Sequence, residues 1–217
     1  MVETGSSTGQ TRTQRRDQAA SDTRSAILAA GRARLLADGY ANLSTRAVAE
    51  AAGVPLSQIH YHFRSKRQLV LAVLAAENER LLERQAEMYD APDPLWVRWD
   101  RAVDFLDIDL RSGYVRILNE MIAAGWSDAE VAASVREMLT GWFALLTDVA
   151  QREADRGSDL GPFTPAEVGA LMGLPFIGAE PMLLLGMTDD VLPARSALRK
   201  VGALLRQVLD GGQSPRA

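Results

Sequence analysis

Beyond residue 20, apolar side chains return every three or four positions, and no stretch of useful length alternates apolar with polar. A period near 3.6 makes the buried stripe of an amphipathic helix, whereas a half-buried strand needs a period of two. The chain is therefore confined to an all-α fold. With 217 residues, 47% of them hydrophobic, it can bury a substantial core in one or two domains. It has no cysteine, which removes disulfide and thiolate chemistry. No uninterrupted apolar run reaches the ~18 residues of a membrane span, and the polar start lacks an apolar signal segment. A cytoplasmic protein that does not enter a membrane is expected.

The helices can be placed from their boundaries. Residues 1–20 read as a flexible polar tail, whose Arg12, Arg15 and Arg16 could follow a DNA minor groove. Ser21 or Asp22 can cap a first helix that buries Ile27, Leu28, Gly31, Leu35 and Leu36 and ends at Gly39. Ser44 can cap a second, with Val48, Ala49 and Ala52 on its apolar face. Gly53-Val54-Pro55 then forms a tight turn: glycine permits positive φ, and proline sets φ for a new helix start. A third helix from Leu56 turns Ile59 and Phe63 inward, and Ser65 can cap a fourth, with Arg80, Glu83 and Arg84 on its outer side. Two short helices joined by a glycine turn are the helix-turn-helix pattern, whose second helix enters the major groove.

Charge agrees with that reading. Residues 1–70 carry a balance of +5 and residues 71–217 a balance of −9. A basic first third suits a nucleic-acid module attached to something else. Both histidines, His60 and His62, lie on the third helix. At i and i+2 they point about 200° apart and cannot share a metal as an i, i+4 pair does. No metal site, nucleophile motif or phosphate-binding loop is found, so neither an enzyme nor a cofactor is expected. Ser57, Gln58, His60 and Tyr61 instead supply donors and acceptors for bases and phosphates. Arg64, Lys66 and Arg67 follow where a phosphate backbone would pass, although Lys66 could instead pack its stem on Phe63 and cap a carbonyl. Ser44, Thr45 and Arg46 open the preceding helix, whose N–H groups favour phosphate.

The stretches ILAAGRARLLADGY, STRAVAEAAG and GVPLSQIHYHFRSKRQL resemble the DNA-binding domain of TetR-family transcriptional regulators over roughly residues 22–75. The shared features are Gly39-Tyr40, Ala51-Ala52-Gly53-Val54, and His62-Phe63-x-Ser65-Lys66-x-x-Leu69. Pro55 stands where Ser is common, and His60 where Tyr is usual. The resemblance implies about nine helices: a flexible tail over 1–20, a three-helix DNA-binding domain over 21–66, and a helical ligand-binding and dimerisation domain over 67–212. It also implies a homodimeric repressor, released from a pseudo-palindromic operator by a small effector. An activator, or a regulator switched by a protein partner, is the alternative. The expected DNA contacts are Ser44, Thr45, Arg46, Pro55, Leu56, Ser57, Gln58, His60, Tyr61, His62 and Lys66.

In the second half, Trp96, Trp99, Val103, Leu106 and Leu110 form one stripe. Val131, Val135, Met138, Trp142, Leu145 and Val149 form another along a long helix. Such side chains serve as core more often than as a ligand pocket. The positions picked to line one are Trp99, Met121, Trp142 and Met172, with Asn119 as a polar anchor and a mainly hydrophobic ligand. Glu180, between Ala179 and Pro181, is the one charged residue that stands trapped in an apolar run. Two segments, about 166–187 and 194–209, should pair two copies, with Gly169, Gly173, Ala197 and Gly202 allowing close approach. Pro175 and Pro181 should bend or break the first of these.

Overall fold

The computed structural model describes residues 12–211, with side chains as far as Arg206. Among the described residues there are nine helices and no strand. They are α1 (Arg12–Asn42), α2 (Thr45–Ala51), α3 (Leu56–Phe63), α4 (Lys66–Asp90), α5 (Leu95–Ser112), α6 (Tyr114–Gly125), α7 (Ala129–Asp155), α8 (Pro165–Leu184) and α9 (Ala194–Gly211). The chain divides into two compact units between Val73 and Leu74, inside α4.

α1 begins at Arg12, well before the Ser21 or Asp22 cap. Residues 12–20, expected as tail, are therefore helical, while residues 1–11 lie outside the described residues. The early turns are rich in Arg, Gln and Ala, good helix formers. They are held by Gln18 Nε2 donating to Asp22 Oδ1 at 2.8 Å and by the Thr23 hydroxyl donating to the Ala19 carbonyl. Helical geometry breaks at Gly39 (φ 74°). The first unit closes over Ile27, Leu35, Val48, Ile59, Phe63, Leu69 and Val70, all buried. Gly31 brings α1 close to α4, where a Cβ would meet Val73 at 3.3 Å.

In the second unit, α8 packs mainly on α7 and α9 on α5. The glycines named for close helix approach serve these contacts within the chain. A Cβ on Gly169 would lie 2.8 Å from the Thr147 backbone, and one on Gly173 2.6 Å from Phe143. On Gly202 it would lie 2.9 Å from Asp100. Trp99 Nε1 donates to the Leu198 carbonyl at 2.7 Å, and Arg199–Asp104 and Arg195–Asp107 pairs flank it.

α8 continues through both prolines instead of breaking. It starts with a capping box unnoticed in the sequence: Thr164 accepts from the Glu167 N–H, and the Glu167 carboxylate accepts from the Thr164 N–H. By length and composition alone α8 could cross a membrane, with a mean hydropathy of 1.3. The uninterrupted-run test missed this because Glu180 divides the segment.

Candidate DNA interface and interior cavity

α2 ends at Ala51, and Gly53 adopts φ +66°, which an L side chain rarely takes. The Val54 N–H returns to the Ala49 carbonyl at 3.0 Å, closing the turn. Pro55 occupies the N-cap of α3 in an extended conformation. The helix plants Ile59 and Phe63 in the core and turns its other side to solvent. Ser57, His60 and Tyr61 are exposed, Tyr61 by 73%, while Gln58 and Leu56 are partly buried. Ser44 and Arg46 are exposed at the start of α2. Ser44 is the N-cap by position, but its side chain makes no cap bond.

His62 and Lys66 are partly buried and engaged inward. His62 is partly buried, edge-on to Tyr61 with centroids 4.9 Å apart, and its Nε2 is buried without a hydrogen-bond partner. The Lys66 ammonium donates to the Ala41 carbonyl at 2.9 Å and sits 5.1 Å from the Tyr40 ring centre. It does cap a carbonyl, with its ammonium over the Tyr40 ring. Ser65 caps α4, its hydroxyl accepting from the Gln68 N–H at 3.1 Å.

Arg64, between α3 and α4, is the one non-glycine residue with positive φ among the described residues (φ 58°, ψ −42°). Such strain persists only where the surroundings hold it. Here its N–H bonds back to the His60 carbonyl, which ends α3, and the side chain is exposed.

In the second unit, helices α4 to α8 enclose a narrow cavity of about 40 Å³. That is space for a few waters, so a larger occupant must displace side chains in the wall. Of the residues picked, Trp142 and Met172 line it. Trp99, Met121 and Asn119 do not. Trp99 is held in the α5–α9 core by its bond to Leu198, Met121 is fully buried, and Asn119 donates to the Val115 carbonyl of its own helix. Trp99 falls on an apolar stripe, but periodicity does not say which side of a helix meets the cavity.

The cavity also has a polar corner that the sequence reading missed, apart from Glu180. The Tyr114 hydroxyl donates to Asn78 Oδ1 at 3.0 Å. Arg84, expected on the outer face, grips Asp109 at 2.6 and 2.7 Å and stacks on Phe105 at 4.5 Å. Burial raises the Asp109 carboxyl above its ordinary range, with Arg84 opposing. Burial and then the Asp109 charge push Glu180 up to about 8. Burial also raises the Tyr114 hydroxyl, with Glu180, Asp109 and Glu77 adding to it.

The bulk of the wall is apolar, including Leu106, Leu118, Met138, Leu146 and Phe176. Two further charges, Arg98 and Glu153, are buried away from the corner and pair at 2.5 Å. Among the described residues no group of three or more His, Asp or Glu side chains could hold a metal ion.

The chain thus carries a helix-turn-helix unit and, beyond it in sequence, a helical unit with an interior cavity. Residues 27–73 match the family described as "Bacterial regulatory proteins, tetR family". A regulator of the family from Rhodococcus sp. superimposes with a TM-score of 0.71 at 21% identity, covering 87% of this chain and 99% of its own. One from Mesorhizobium loti gives 0.72 at 14% identity, over 92% and 98%. Bacillus subtilis FadR, solved in complex with stearoyl-CoA, gives 0.69 at 14% identity, over 83% and 96%. At these identities the likeness is one of fold. A search of curated proteins finds no match.

Proposed function

We propose that the chain is a homodimeric transcriptional repressor that leaves a pseudo-palindromic operator when a small, mainly apolar effector enters the cavity. The observation that carries the DNA half is the solvent-facing row Ser57, His60, Tyr61 and Arg64 on a helix anchored by Ile59 and Phe63. Gln58, Tyr61 and His60 read base edges; Ser44, Thr45, Arg46 and Arg64 meet phosphates, with Pro55 and Leu56 at the groove entrance. The effector half is supported by the cavity and by the fold neighbour that holds stearoyl-CoA. α4 carries Asn78, Leu81 and Gln85 into the cavity wall and begins at Lys66. An effector that rearranges this wall shifts α4 and so the separation of two recognition helices. Two copies meet through α8 and α9. Leu171 and Leu174 of α8, Leu185 just past its end, and Leu204 of α9 stand exposed, a costly arrangement for a monomer in water.

The small volume of the cavity is the one observation favouring a regulator of the same fold that acts as an activator or answers to a protein partner. Selection of bound sequences from random duplexes, at a stated salt concentration, tests the DNA reading. A two-fold symmetric consensus is expected, and enrichment of an asymmetric half-site alone, or of nothing, rejects the dimeric operator reader. Release of the selected duplex by a compound that fills the cavity separates repressor from alternative.

A further inference from the structure

The character of the effector's polar group follows from the cavity corner. Three of its four polar side chains are engaged: Tyr114 with Asn78, and Asp109 with Arg84. The fourth, Glu180, has no hydrogen bond or ion pair among the described residues, although it lines the cavity from the middle of an apolar helix. A polar group left unpaired in an apolar setting is costly, and an arriving partner removes that cost. Facing it are Asp109 from α5, whose charge Arg84 offsets, Tyr114 from α6, and Asn78 from α4, with Glu77 of α4 felt at Tyr114. The wall that α7 contributes is apolar, Trp142 among it. The corner therefore sets two carboxyl groups against one guanidinium, and Asp109 already occupies that guanidinium, so an incoming carboxylate or phosphate finds no free cation to pair with.

We propose that the effector is an amphiphilic cation, an apolar body bearing a protonated amine that pairs with the Glu180 carboxylate, while the apolar body displaces the Trp142 side of the wall. The proposal rests on the reading of this cavity as the effector site. The empty cavity keeps Glu180 protonated near neutral pH, because burial and Asp109 hold it up to about 8. Pairing with an ammonium group then expels that proton.

The test is titration calorimetry of the full chain with decylammonium, 1-decanol and decanoate, each below its aggregation concentration, in two buffers of different ionisation enthalpy. Decylammonium is expected to bind at least roughly tenfold more tightly than decanol, with decanoate weakest. About one proton should be released per decylammonium at pH 7, and none with decanol. The Glu180→Gln variant should lose both the preference and the proton release while still binding decanol. Should that variant not fold, decylammonium affinity for the natural chain must rise from about pH 6 to 8.5 as Glu180 gives up its proton. Decanol or decanoate binding as well as decylammonium, without proton release, overturns the cationic effector and leaves the effector cavity standing. Failure of all three to bind overturns the cavity reading as well.

Discussion

The Lys66 ammonium reaches back across twenty-five residues to the Ala41 carbonyl, at 2.9 Å, and lies over the Tyr40 ring. It ties the first turn of α4 to the end of α1, with the helix-turn-helix between them in sequence. A hydrogen bond from a charged donor is worth roughly 1.5–3 kcal/mol. Lys66→Met keeps the stem and removes the donor. It is expected to lower the midpoint of thermal unfolding and to weaken operator binding by loosening the reader. The slope of log affinity against log salt should change less than in Arg64→Ala, whose guanidinium is exposed. A slope change as large as that of the arginine variant would make Lys66 a phosphate contact after all.

Tyr61 offers the opposite case. It is 73% exposed on α3, and its one ring contact is with His62. Tyr61→Ala should leave thermal stability within about 0.5 kcal/mol, the usual range for surface substitutions. Combined with Gln58→Ala, it should cost roughly tenfold or more in affinity for the selected operator and relax base preference at one position per half-site. Full retention of affinity and preference in the double variant would mean that α3 does not read bases in this way.

The DNA-binding helices were legible because their signals are local. Gly53, Pro55 and Ser65 each set the backbone within a few residues, and Ile59 and Phe63 fall one turn apart. The cavity was not legible in the same way. Five helices contribute to its wall, and each has several apolar positions that periodicity ranks equally, so Trp142 and Met172 were found while Trp99 and Met121 were core. Asn78 stays hidden between Glu77 and Glu79, and Asp109 in a helix that also carries Asp104, Asp107 and Arg111. Glu180 was readable because its neighbours on the chain are apolar.

Arg98 and Glu153 form a pair with little access to water. Arg98 donates to Glu153 at 2.5 Å and to the Tyr89 carbonyl at 2.7 Å, and Arg156 adds a second donor to Glu153 at 2.7 Å. This joins α5 to α7 and to the end of α4. Glu153→Ala strands a buried guanidinium, which typically costs about 3–5 kcal/mol. Urea unfolding should show that loss, and Arg98→Met with Glu153→Leu should recover much of it. A loss under 1 kcal/mol in the single variant would show that water reaches the pair.

The outward face of α8 makes oligomeric state measurable. Leu171 and Leu174 are 54% and 56% exposed, and only 22% of the apolar window of this helix is buried within one chain. Sedimentation of the natural chain should give the mass of a dimer. Leu171→Glu with Leu174→Glu should give a monomer with an unchanged helical spectrum and much weaker operator binding, since each half-site is then held alone. A natural chain that sediments as a monomer at micromolar concentration would remove α8 from the interface.

Glu180 makes stability depend on pH in the direction opposite to most carboxylates. Burial, with Asp109, raises it in the folded chain from 4.5 to about 8. Below pH 4.5 both folded and unfolded chains hold the proton, and the group adds no dependence. From there to about 8 the unfolded chain has released a proton that the folded chain retains, so stability falls as pH rises. Above 8 both states are ionised and the loss is complete. Glu180→Gln removes the loss. It should match the natural chain near pH 4.5 and exceed it near pH 9 by at most about 5 kcal/mol, at roughly 1.4 kcal/mol per tenfold change in proton affinity over the rise from 4.5 to about 8. Thermal unfolding of both proteins across that range measures the gap. A gap that stays constant with pH would mean that the folded chain already carries Glu180 ionised, with a partner or water to hold it.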